Sequence, residues 1–209
     1  MLALPRIAKL SLAGDHDRLL NDILHNGRPV PLAARIRLSA SEAVRPAALG
    51  LALRRIAELT YRPVDEAAAI VTALLEEQRP DGSFGSIAAT AAAVAGLSAF
   101  MDQHRPLRIA SDRPDALVVG SAEAGLASAL SWFDAMSAGA RADGLIGDRL
   151  DSALIAWLFQ SDPRLTGWRG FGPLLRSIDR AGLHHDRETS ALLGAAPATD
   201  PSRRASVAA

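Results

Sequence analysis

The chain has 209 residues, 49% of them hydrophobic but only 4% aromatic, and 42 alanines fill the gap. That composition excludes a disordered chain, the lack of cysteine excludes disulfide scaffolds and thiolate metal sites, and abundant alanine with few aromatics points to helix rather than strand. The formal net charge is zero, so no strongly basic surface announces nucleic acid or anionic lipid.

The charges are unevenly placed. Residues 1–62 carry 10 basic and 5 acidic side chains, and residues 63–209 carry 13 and 18. The expectation is that the two parts attract each other within one fold. The alternative is an anionic partner on the N-terminal third, through Arg35, Arg37, Arg45, Arg54 and Arg55. No aromatic interleaving and no helix-turn-helix turn support that alternative, which argues against nucleic acid. Met1 to Gly14 lacks the apolar run of a signal peptide. Ile87 to Met101 is too short and too mild to span a bilayer, which needs about 20 residues. The expected compartment is the cytoplasm.

In chain order, residues 1–38 read as an N-terminal arm with one short helix over about 15–25, where Asp15, His16 and Asp17 look like a capped start. Residues 26–38, with Pro29 and Pro31, read as an extended connection. A helix is expected from Ser39 or Ser41 to about Thr60, with Pro46 in its first turns. The periodicity then predicts a helix over 64–79, with Val64, Ala67, Ala68, Val71, Leu74 and Leu75 on one stripe. Arg79-Pro80-Asp81-Gly82 stops it. Ser86 caps a helix over 87–103 that is apolar on nearly every face, the pattern of a buried helix. Residues 104–120 read as a loop, with Pro106 and Pro114. Ser121 is taken as the cap of a helix over 121–138, ended by Gly139. Asp148 opens a helix over 148–160. Pro173 lies in the first turn of a helix over 171–181 that Gly182 ends, and a last short helix starts at Asp186. Residues 39–194 form the expected repeat domain, and residues 195–209 a disordered tail. No segment reads as a strand.

Residues 74–97 run from Leu74-Leu75 through Gln78, Asp81, Gly82, Ser83, Phe84 and Gly85 into an Ala-rich helix ending Ala95-Gly96-Leu97. Gly82 suits positive φ, Asp81 can bond the following backbone, and Phe84 can wedge between helices. This stretch resembles the helix-turn-helix repeat of terpenoid cyclases and protein prenyltransferase β-subunits, the α/α toroid. A degenerate second copy is expected over Ala156 to Gln160, Trp168, Gly170 and Ala181-Gly182-Leu183, and Asp143 to Gly147 echoes the turn alone. The resemblance implies an all-α array of helical hairpins, a partial toroid of at most four. It does not carry over the family's chemistry. There is no Asp-x-Asp-Asp acid, since Asp112-Arg113-Pro114-Asp115 is the nearest sequence. There is no Asp-Asp-x-x-Asp magnesium motif, and no cysteine for a zinc site.

Other chemistry is thin. His184, His185, Asp186 and Glu188 gather four metal-ligand types, but Asp186 reads equally as a helix cap with Glu188 in the first turn. Phe100, Trp132, Trp157 and Trp168 are candidates for an apolar pocket wall, against the plainer reading of inter-helix core. No serine lies in Gly-x-Ser-x-Gly, and Gly120 to Gly125 is not a phosphate loop. The expected function is therefore a non-catalytic binding or assembly module acting through its inner-helix face, with a protein partner or self-association and no cofactor. The alternative is a binding protein or enzyme for an isoprenoid or similar apolar ligand. Nucleic-acid binding through the basic N-terminal third comes third.

Overall fold

The computed structural model describes residue 7 and residues 14–26, 30–40, 42–58, 64–104, 114–139 and 143–194, with the backbone alone given for Asn26, Val64 and residues 114–116. These residues are all-helical, without a strand. The helices are α1 (His16–Asn26), α2 (Leu32–Ser39), α3 (Val44–Ala57), α4 (Val64–Leu75), α5 (Ile87–His104), α6 (Pro114–Ala138), α7 (Arg149–Phe159), α8 (Pro163–Thr166), α9 (Phe171–Arg180) and α10 (Arg187–Gly194), with a 3-10 turn at Leu183–His185. The expected tail at 195–209, and the Asp112 and Ser41 readings, lie outside the described residues.

Burial divides the helices into two kinds. In α5, 14 of 18 residues are buried, as its all-round apolar sequence predicts. Its neighbours α3 and α7 are buried along most of their length as well. By contrast, α4, α6 and α9 bury one face and leave the other to solvent. Apart from the short α8, outer and inner helices thus alternate along the chain from α3 to α9, with α3 and α5 forming the most extensive pair. That pair is close because each helix has a glycine at the crossing. A Cβ on Gly96 would stand 2.2 Å from the carbonyl oxygen of Gly50, and one on Gly50 would stand 2.5 Å from that of Ala92. The two backbones touch, and the surrounding alanines fill what space remains.

Four boundaries differ from the sequence reading, each for a local reason. Residues 32–39 are helical, with Pro31 in the N-cap position, so the proline starts a helix there, and Ser39 ends α2 rather than beginning α3. The 64–79 helix stops at Leu75, because the amides of Glu77 and Gln78 bond three residues back, tightening the chain towards Pro80. Residues 114–120 are not loop. Pro114 takes the first position of α6, where its missing N–H costs nothing, and Ser121 lies inside the helix rather than at its cap. The short α8 was not expected. Asp162 caps it by accepting from the amides of Arg164 and Leu165, with Pro163 in its first turn.

Two arginines of the N-terminal third form ion pairs with acids of the rest of the chain. Arg37 of α2 grips Asp151 of α7 with two hydrogen bonds of 2.7 and 2.6 Å and lies 3.0 Å from Asp148. Arg45 of α3 reaches Glu77 at 3.1 Å and Glu76 at 3.9 Å. The N-terminal segment also shares the core, through Leu19, Leu20, Ile23 and Leu24 of α1 and Ala33, Ala34 and Leu38 of α2.

The turn before α5 recurs before α7 with a constant offset of 62 positions, Asp81 matching Asp143, Gly85 matching Gly147 and Thr90 matching Ser152. Asp81 Oδ1 accepts from Ser83 N–H, and Asp143 Oδ1 from Leu145 N–H. Gly82 and Gly85 have φ of 90° and 94°, and Gly144 and Gly147 both have 70°, a region that favours glycine. Phe84 N–H donates to Thr90 Oγ1, and Ile146 N–H to Ser152 Oγ, both at 2.9 Å. Ser86 and Asp148 then cap α5 and α7. Even the packing repeats, since Gly82 lies on Ser128 of α6 and Gly144 on Ser177 of α9. The fuller echo expected over 156–183 lacks this geometry. Gly170 is right-handed, α8 intervenes, and Gly96 sits inside a helix whereas Gly182 turns left-handed after one. The hydroxyl at Thr90 or Ser152 ties turn to helix. Ser152→Ala leaves the buried Ile146 amide unsatisfied, and we expect a loss of about 1–3 kcal/mol in urea unfolding. A loss below about 0.5 kcal/mol would show that the hydroxyl is not a structural tie.

Candidate functional site

Two surfaces stand out once the core is accounted for. The first is a groove of about 440 Å³ where the carboxyl ends of α3, α5 and α7 come together. Its floor is Ala57, Ala95, Ala99 and Leu158. Its rim is Arg54, Glu58, Asp102, Gln103, Ser161, Asp162 and Pro163. Three helix carboxyl ends bring their negative dipole ends to one place. The rim groups are already engaged. Arg54 lies over the Trp157 ring, 5.4 Å from its centroid. Glu58 pairs with Arg55, and Asp102 with Arg164 at 2.9 Å. Gln103 reaches the Ile56 carbonyl at 3.4 Å, and Asp162 is spent as the α8 cap.

The second surface is the solvent face of α6. Its exposed positions are Leu117, Gly120, Ser121, Ala124, Ala127, Ser128, Ser131, Ala135 and Ala138. Leu117 is 77% exposed. A helix at the protein surface ordinarily turns charged residues to water. Here Glu123 and Asp134 are half-buried, and the exposed positions from 117 to 138 carry no charge.

The residues singled out by sequence fall elsewhere. Gln78 binds the carbonyls of Gly82 and Gly125 at 3.0 and 2.8 Å, so with Asp81, Gly82, Ser83, Phe84 and Gly85 it fixes the turn onto α6. Phe84 is fully buried, as a wedge should be. None of Phe100, Trp132, Trp157 and Trp168 lines the groove. Phe100 stacks on His104, Trp132 packs on Phe133, and Trp168 joins Phe133 and Phe159 at centroid distances of 5.9 and 6.1 Å. The rings are consumed as wedges between helices.

The cluster at 184–188 is not gathered as a metal site. His184 turns to Asp179, 2.6 Å away, while Asp186 accepts from the amide and hydroxyl of Thr189. Those bonds hold the Asp186 carboxyl below its ordinary range, and it acts as the cap of α10. Among the described residues no group of three or more His, Asp and Glu side chains could hold a metal ion. Of the basic residues, Arg37, Arg45 and Arg55 are held by acids and Arg54 by Trp157.

Asp134 is tuned in the same direction as Asp186. Asp134 pairs with Arg169 at 2.8 Å and accepts from Trp168 Nε1 at 2.9 Å, and the Arg169 bond followed by the indole bond holds its carboxyl below the usual range. A depressed carboxylate adds stability above the unfolded carboxylate range, near pH 4, and the gain is lost as pH falls through the folded value. In Trp168→Phe the Asp134 carboxyl should therefore titrate higher by NMR. An unchanged titration would exclude the indole as a cause.

The groove and the α6 face went unread in the sequence. The signal for the second was present, as small residues at three- and four-residue spacing from Gly120 to Ala138. The groove had none, because its walls come from three separate stretches. No helix of the described residues is long and apolar enough to cross a membrane. Compared with known proteins, the chain matches no family model, no curated protein and no solved structure.

Proposed function

We propose that the chain is a non-catalytic assembly module, a partial α/α-toroid-like array of helical hairpins that associates with a second copy through the outer face of α6. The sequence reading put the working surface on the inner helices. Their burial along most of their length favours the outer layer as the assembly surface. The observation that carries the reading is the uncharged solvent face of α6. Small side chains let two helices approach to the near end of the usual 8–10 Å. An uncharged face also meets its own copy without repulsion. Two such helices bury less than the roughly 1,200 Å² of a standard interface, so the association is weak and concentration-dependent.

Sedimentation velocity on the full chain tests this directly. The wild type should show a sedimentation coefficient that rises with concentration through the micromolar range, and Ala127→Glu should stay monomeric with unchanged helicity. A wild type that is strictly monomeric across that range overturns self-assembly. Ligand binding is tested separately, by adding a prenyl diphosphate and magnesium. The Gly50–Gly96 contact closes the gap between α3 and α5, and the four candidate aromatics do not line the groove, which speaks against an apolar wall for such a ligand. We expect no change in melting temperature, and a magnesium-dependent rise would restore the ligand-binding alternative.

A further inference from the structure

We draw no further inference here: the strongest candidate, the groove at the carboxyl ends of α3, α5 and α7, has its charged rim groups already held by neighbouring side chains or backbone amides, and nothing in the structure shows what would fill it.

Discussion

Replacing Gly96 by alanine is expected to destabilise the fold by about 3 kcal/mol, although the same change within an ordinary helix gains about 1 kcal/mol. The sign reverses because of what the new methyl meets. Its carbon would stand 2.2 Å from the Gly50 carbonyl oxygen and 2.8 Å from the Gly50 Cα. A clash with a long side chain is relieved by a rotamer change, but this obstacle is backbone inside a helix. Relief means separating α3 from α5, which loosens the packing of Ala47, Leu51, Val94 and Leu97 in the shared core. The natural control is Gly120→Ala on α6, where nothing lies within 4 Å of the new methyl. That variant should gain up to about 1 kcal/mol from helix propensity. Urea unfolding of both separates packing from propensity. If Gly96→Ala is as stable as Gly120→Ala, the helices do not touch as described.

That contact also marks where sequence reasoning stops. Helix α5 was legible because apolar residues on every face admit only a buried helix, and α7 because Asp148 precedes a clear apolar stripe. Gly50 and Gly96, by contrast, each look like a propensity penalty until their partner is known, and the partner lies 46 positions away. Proline is ambiguous in the same way. Pro80 ends a helix while Pro31 and Pro114 begin one, and only the following residues' tertiary burial decides between these roles. The repeated turn was half legible. Asp-Gly and the second glycine announce it, but the Thr90 and Ser152 hydroxyls sit six residues beyond the amides they accept from, inside the next helix. For the candidate surfaces, residue type drew the reading elsewhere. Tryptophan and histidine drew attention to places where they serve packing and a surface hydrogen bond, whereas the most unusual exposed face is made largely of glycine, alanine and serine.

The second large effect concerns Arg37, whose side chain is about one-third exposed while that of its partner Asp151 is 5% exposed. Asp151 is the third residue of α7 and half of its capping box. Its amide donates to Asp148 Oδ1 at 2.8 Å, and its own Oδ2 accepts from the Asp148 amide at 3.3 Å. With Arg37 in place the carboxylate has a bidentate charged partner. In Arg37→Ala it keeps only the long capping bond, in a site that water barely reaches. Leaving a buried charge without its partner typically costs about 3–5 kcal/mol, and the exposure of Arg37 lowers the expectation here to about 2–3 kcal/mol. The loss should come from the stranded charge rather than from the missing arginine. Adding Asp151→Asn to Arg37→Ala should therefore recover stability, because the amide is neutral and its oxygen can still accept the capping bond. In a double-mutant cycle by urea unfolding, we expect a coupling of about 1–2 kcal/mol between the two positions. Coupling below about 0.3 kcal/mol would mean that α2 is held in place by its buried residues, Ala33, Ala34 and Leu38, and that the ion pair is an incidental surface contact.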